Sequence, residues 1–203
     1  KVYQSLANDF LYPNPDNLLV FADNHDMSRV YTELGQDLAK TKMAMTLLLT
    51  TRGIAQMYYG TEILLDNTGS NDHGDIRIDF PGGFEGQKAN AFTGKGLNSD
   101  QIEMQQTITA LLNFRKNSPA LSKGKLTHFS PKNGVYSYAR ISDQQTVLVF
   151  LNKNTQAKTW SLDYMNEVLA GNKHAQSLFT KQVIPLNKPI SLPAMSAVGL
   201  VIE

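Results

Sequence analysis

Two short apolar runs joined by an amphipathic segment constrain this chain more than any other feature. The first, Leu18-Leu19-Val20-Phe21-Ala22, follows the turn-rich Tyr12-Pro13-Asn14-Pro15-Asp16-Asn17. An apolar run bounded by turn signals reads as a strand buried on both faces. Over residues 36–50, Leu38, Met45, Leu48 and Leu49 recur at helical spacing, and Arg52-Gly53 closes the pattern as a terminal glycine does. A second run, Ile54-Ala55-Gln56-Met57-Tyr58-Tyr59, ends at Gly60. Strand, helix and strand at this spacing form a βαβ unit with parallel strands.

Residues 61–98 show no clean period. Glycines at 69, 74, 82, 83, 86, 94 and 96, with Pro81, mark a long irregular segment, and Phe80, Phe84 and Phe92 give it apolar anchors. Loops of this length are functional or disordered. A helix is expected from near Asp100, with Glu103 closing a capping box and Met104, Ile108, Leu111, Leu112 and Arg115 on one face, up to Asn117-Ser118-Pro119. Beyond that the texture changes to short β-branched or aromatic runs over 125–130, 135–141, 146–152, 159–162, 178–184 and 198–202. Such spacing predicts an antiparallel β-sandwich. The expected fold class is therefore α/β followed by all-β, with one domain over 1–119 and a second over 120–203.

The 203 residues suffice for one medium domain or two small ones. A net charge of +1, without a basic stripe, gives no signal for nucleic acid or an anionic membrane surface. No run approaches the roughly 20 apolar residues of a membrane helix. Cysteine is absent, which removes disulfides and thiolate metal sites and suits periplasm and cytoplasm alike. The opening Lys1-Val2-Tyr3-Gln4 lacks signal-peptide character, so a mature form or a fragment is expected.

Directly after the first strand stand four polar residues, Asp23-Asn24-His25-Asp26. In parallel α/β architectures the C-terminal ends of strands line the catalytic face. Two readings are open from the pattern alone: a used polar cluster, or Asp26 capping a helix from Met27 with His25 bonded to a nearby carbonyl.

The stretch Phe21-Ala22-Asp23-Asn24-His25-Asp26 resembles the Phe-x-x-Asn-His-Asp signature on the seventh strand of the (β/α)8 barrel in the α-amylase superfamily. Residues 53–62, Gly-Ile-Ala-Gln-Met-Tyr-Tyr-Gly-Thr-Glu, are similar to the eighth-strand segment Gly-x-x-x-x-Tyr-Tyr-Gly-x-Glu. His73-Gly74-Asp75-Ile76-Arg77-Ile78-Asp79-Phe80-Pro81-Gly82-Gly83 further resembles the neopullulanase and cyclomaltodextrinase branch. The resemblance implies a partial barrel, its last two βα units, followed by the sandwich. It implies retaining hydrolysis of α-glucosidic bonds in starch-derived oligosaccharides, in a bacterial-type enzyme. Asp26 then matches the carboxylate that stabilises the transition state, His25 a partner on the same sugar, and Arg77 a contact to a neighbouring glucose. The aspartate that relatives carry four residues before that arginine is His73 here. Asn24 is expected to orient His25, while Tyr58, Tyr59 and Glu62 pack and anchor loops.

A retaining glycosidase also needs a nucleophile and an acid/base carboxylate about 5 Å apart. The resemblance implies that both lie on earlier strands, so this chain is expected to be silent alone. It is also expected to self-associate or to rely on the missing N-terminal half of the barrel as a partner. Arg77-Ile78-Asp79 repeats the nucleophile's spacing, but it follows the eighth strand. Open alternatives are a non-catalytic amylase-like binding or assembly protein, a transferase or isomerase of the same superfamily, and a carbohydrate-binding module using Trp160, Tyr136 or Tyr138. No organic cofactor is implied. Calcium has oxygen donors in Asp66, Asn67, Asn71 and Asp72, which turn formation explains equally well.

Overall fold

The structure is a computed structural model that describes residues 1–67, 70 and 72–203. Strands β1 (Leu19–Phe21) and β2 (Ile54–Gln56) run parallel, with Leu19 opposite Ile54 and Phe21 opposite Gln56. The helix between them, α3 (Leu38–Thr50), follows two short helices, α1 (Val2–Ala7) and α2 (Val30–Glu33). It starts two residues later than its periodicity suggests. Gly35 and Gln36 take positive φ, and the Asp37 carboxylate caps the Lys40 amide at 3.0 Å. The second strand ends at Gln56, and residues 57–60 leave the sheet for a turn in which Gly60 takes φ +85°.

One correction concerns the faces of this small sheet. Val20 and Ala55 pack against the core that α3 shares with a later helix. Leu19, Phe21 and Ile54 remain 54, 44 and 56% exposed, so the strands are covered on one face among the described residues. Phe10, Leu11 and Tyr12, also exposed, extend the apolar surface nearby in sequence.

Within 61–98 the described residues include a 3-10 turn at Thr61–Ile63 and a short helix, α4 (His73–Ile76). Then comes α5 (Ser99–Asn117), whose capping box uses Asn98 and Gln101 rather than Asp100 and Glu103. Asn98 has the extended backbone of a cap, and the two side chains exchange bonds of 2.9 and 3.0 Å. Glu103 instead pairs with Lys42 on α3 at 2.6 Å. The stripe Met104, Ile108 and Leu111 is buried against Met45, Leu48 and Leu49, whereas Leu112 is 40% exposed, one residue off the buried face.

After α6 (Pro119–Lys123), eight strands follow: β3 (Lys125–Lys132), β4 (Val135–Ile141), β5 (Thr146–Asn152), β6 (Lys158–Trp160), β7 (His174–Ser177), β8 (Val183–Pro185), β9 (Ile190–Leu192) and β10 (Ser196–Ile202), with α7 (Asn166–Leu169) after β6. Six form an antiparallel sheet in the order β3-β4-β5-β10-β7-β8, and β6 pairs with β9. Of the expected strand over 178–184, residues 178–182 form the turn between β7 and β8, where Lys181 sits at φ +61°, and only Val183 and Ile184 belong to a strand. The large sheet is covered on both faces. Leu148 and Phe150 of β5 meet Ile190 and Leu192 of the β6–β9 ribbon and Met165, while Val147, Val149 and Leu151 face Leu121 and the α3 side chains Met43 and Leu47.

The second face is fastened to the end of α3. Arg115 donates to the Leu49, Thr51 and Gly53 carbonyls, and Arg140 donates to Thr51 and Gly124. Tyr138, fully buried, bonds Thr50 Oγ1. Burial raises the Tyr138 hydroxyl above its ordinary 10.0. The unfolded chain therefore ionises first, so the stability contributed here is present below pH 10 and is lost as pH rises above it. Tyr138→Phe should cost about 1 kcal/mol at neutral pH and flatten the alkaline decline in denaturant titrations. An unchanged alkaline decline would place that sensitivity elsewhere.

Candidate active site

The polar residues after β1 divide into a buried layer and an exposed one. Asp23 is 2% exposed, and its Oδ2 accepts the Val30 amide at 3.0 Å. The Thr61 hydroxyl donates to the same carboxylate at 3.1–3.2 Å. Burial pushes the Asp23 carboxyl above the usual carboxylate range, against the Val30 amide, the Thr61 hydroxyl and the Arg29 charge, which lower it. Asp23 thus ties the end of β1 to the start of α2 and to the segment after β2. Asp26 does not cap a helix from Met27: the helix starts at Val30, and Asp23 holds its first amide.

Asn24 Oδ1 accepts the Asp26 amide at 2.8 Å, closing a local turn that spans His25. That turn leaves both neighbours open to solvent, with the His25 and Asp26 side chains 61 and 62% exposed. His25 Nε2 lies 3.2 Å from Asp26 Oδ2, and Arg77 Nη2 lies 3.0 Å from Asp26 Oδ1. Arg77 Nε also donates to the His25 carbonyl at 3.0 Å. All four residues singled out in the sequence therefore meet at the C-terminal end of β1.

Arg77 Nη2 is 2.7 Å from His73 Nδ1. A guanidinium only donates, so this ring nitrogen accepts, and neutral His73 carries its proton on Nε2. His73 thus meets Arg77 as a hydrogen-bond acceptor. Ion pairs this exposed contribute about 0–1 kcal/mol.

Tyr59 anchors its loop by donating to the Ile78 carbonyl at 2.9 Å, and Tyr58 packs edge-on against it at 4.6 Å. Asp79 is exposed on the loop beyond α4, not at a strand end. Trp160 donates to Tyr164 Oη at 2.9 Å on the β6 ribbon, and Tyr138 is fully buried and presents no face to a ligand. Two residues of the buried layer had no separate reading in sequence: Asp23, seen only as part of the cluster, and Arg29, fully buried three positions after Asp26. A charged residue closely following such a cluster was the available signal.

Two of the oxygen donors considered for calcium, Asn67 and Asp72, are engaged by the protein's own donors. Asn67 Oδ1 accepts the Arg29 amide and the Ser28 hydroxyl, both at 3.2 Å, and Asp72 caps α4 through the Gly74 amide at 2.7 Å. Asn71 lies outside the described residues, and Asp66 has interactions of its own. Among the described residues no three His, Asp or Glu side chains gather as a metal site would require.

Residues 3–117, more than half of the chain, match the family model for the α-amylase catalytic domain. The chain belongs to the α-amylase family. Residues 126–202 match the cyclomaltodextrinase C-terminal domain. Among curated relatives of this family member, the cyclomaltodextrin glucanotransferase of Paenibacillus macerans is 30% identical over 155 residues, 76% of this chain and 19% of its own. The maltogenic α-amylase of Bacillus acidopullulyticus is 28% identical over 162 residues, covering 76% of this chain and 25% of its own. The chain thus spans a quarter or less of the length of these relatives. The fold is also that of the Anoxybacillus α-amylase (TM-score 0.76, 23% identity, 98% of this chain and 41% of that one). The Geobacillus thermoleovorans α-amylase, solved with acarbose, gives 0.75 at 23% identity over 100% of this chain and 42% of its own.

Asp23→Ala should lower unfolding stability by about 2 kcal/mol, because it strands the buried Val30 amide and Thr61 hydroxyl. Chemical denaturation measures this directly. A loss under about 0.5 kcal/mol would mean that the carboxylate is not an anchor.

Proposed function

We propose that this chain carries the sugar-binding side of a retaining α-glucan-acting centre, completed by carboxylates from segments outside it. The observation that carries the reading is the joint placement of Asp26, His25 and Arg77 beyond a parallel strand, solvent-open and braced from below. Residues 1–119 form the last two βα units of a (β/α)8 barrel, and residues 120–203 form its C-terminal β-sandwich domain. The half-exposed Leu19, Phe21 and Ile54 face the other strands of that barrel, the natural partner of an apolar sheet face.

Asp26 accepts hydroxyls of the sugar at the cleavage point, and His25 bonds the same ring. A carboxylate beside a ring that becomes oxocarbenium-like gains attraction as positive charge develops, so its effect falls on turnover. Arg77 holds Asp26 in place and contacts the adjoining glucose. The nucleophile and the acid/base group come from earlier strands of the same barrel, and the chain by itself is inactive. Starch-derived oligosaccharides are the substrates. Support comes from the cyclomaltodextrinase-type match over 126–202 and from neighbours solved with acarbose, maltose and maltotriose. Transfer to a sugar acceptor is a second reading, favoured by relatives named glucanotransferases.

In the complete barrel protein, Asp26→Asn should lower kcat on maltoheptaose by about 10²-fold and leave KM within about threefold. Equal losses in kcat and in affinity would assign Asp26 to ground-state binding instead.

A further inference from the structure

Arg29 is fully buried, and none of the ion pairs seen among the described residues involves it. Its Nε donates to the Ile76 carbonyl at 2.9 Å, and Nη1 donates to the Tyr59 carbonyl. The guanidinium carbon lies 4.1 Å from the Tyr58 ring centre and 5.0 Å from that of Tyr59. Nη2 has no hydrogen-bond acceptor, and the two ring faces partly take that role. A buried cation is costly unless its surroundings are arranged for it. Here the guanidinium meets the turn after β2, through Tyr58 and Tyr59, and the last carbonyl of α4.

That carbonyl belongs to the residue directly before Arg77. The carbonyl directly after Arg77, that of Ile78, receives the Tyr59 hydroxyl at 2.9 Å. Arg77 is therefore bracketed: Arg29 fixes Ile76, Tyr59 fixes Ile78, and Arg29 packs on Tyr59. α4 has four residues, too few to hold a position unaided. The bracket sets where its end lies, and from there the Arg77 side chain reaches the His25 carbonyl and Asp26.

We infer that Arg29 is a positioning residue for the active centre, acting with Tyr59 to hold Arg77 against Asp26. This inference rests on the functional reading above. Lysine cannot replace Arg29, because the planar fork reaches two carbonyls while its face stacks on tyrosine, and an ammonium does neither. A displacement of Arg77 of order 1 Å is enough to lower catalysis strongly.

The test uses Arg29→Lys, Tyr59→Phe and Arg77→Gln in the complete barrel protein, with maltoheptaose as substrate and amide hydrogen exchange as a second readout. Arg29→Lys should accelerate exchange at the Arg77 amide about tenfold and leave the α5 amides of Met104, Ile108 and Leu111 unchanged. It should lower kcat/KM by about 10- to 100-fold, and Tyr59→Phe by about threefold or more. In an Arg77→Gln background neither should cost more than about a further threefold, because both act through Arg77. Losses that multiply with Arg77→Gln, or exchange that rises equally in α5, would overturn the inference. If wild type does not turn over maltoheptaose, the functional reading fails while the exchange comparison still decides the role of Arg29. If Arg29→Lys does not fold, Tyr59→Phe carries the same comparison on the other arm of the bracket.

Discussion

The C-terminal end of α3 is the constraint on which the rest of the molecule depends. A helix leaves its last carbonyls without partners, and here they would be buried between a sheet and another helix. Arg115 of α5 and Arg140 of β4 meet that end, at Leu49, Thr51 and Gly53, with two guanidinium groups. Cations at a helix C-terminus are favoured by its dipole, by about 0.3–2 kcal/mol each. Burial lowers the Arg140 guanidinium to about 10, so the carbonyls offset a real desolvation cost. One cluster thereby fixes α3 relative to α5 and to the large sheet, and it sets the entry into β2 at Gly53-Ile54. The position of the parallel pair, and of every side chain beyond its ends, follows from it.

At the other end of the pair the same economy recurs on a smaller scale. Asp23 and Arg29 are buried, oppositely charged and six residues apart, and each is satisfied mainly by backbone groups, hydroxyls or rings. Between them the chain turns outward and exposes His25 and Asp26. A buried base thus carries exposed tips that are held by one another, His25 and Arg77 each meeting the Asp26 carboxylate. The cost of burying polar groups falls on Asp23 and Arg29 and not on the exposed His25 and Asp26.

Much of this was legible in the sequence, for identifiable reasons. The βαβ unit is carried by apolar runs between strong turn signals, and β4 and β5 by seven-residue runs of β-branched and aromatic side chains. His25 and Asp26 were legible from the motif at the end of β1, and Arg77 from the separate stretch 73–83, which the fold brings to the same place. What escaped depended on contacts distant in sequence. β9 has three residues flanked by Pro189 and Pro193 and exists because β6 pairs with it. The stretch 178–184 has strand composition but a left-handed Lys181. Leu112 satisfies the helical pattern by hydrophobicity, while the geometry of α3 decides which face is buried. Arg29 carried no reading of its own in sequence, because arginine is seldom buried, and only the fold brings Tyr58, Tyr59 and Ile76 around it.

The central claim is that this chain holds one side of a glycosidic centre and needs carboxylates from outside it. The most direct measurement is reducing-sugar release from maltoheptaose and a cyclodextrin, by the purified 203-residue chain and by a form extended through the remaining barrel strands. The account predicts a silent short chain and an active long one. Turnover by the short chain alone would mean that a complete carboxylate pair lies within these residues, and would contradict it.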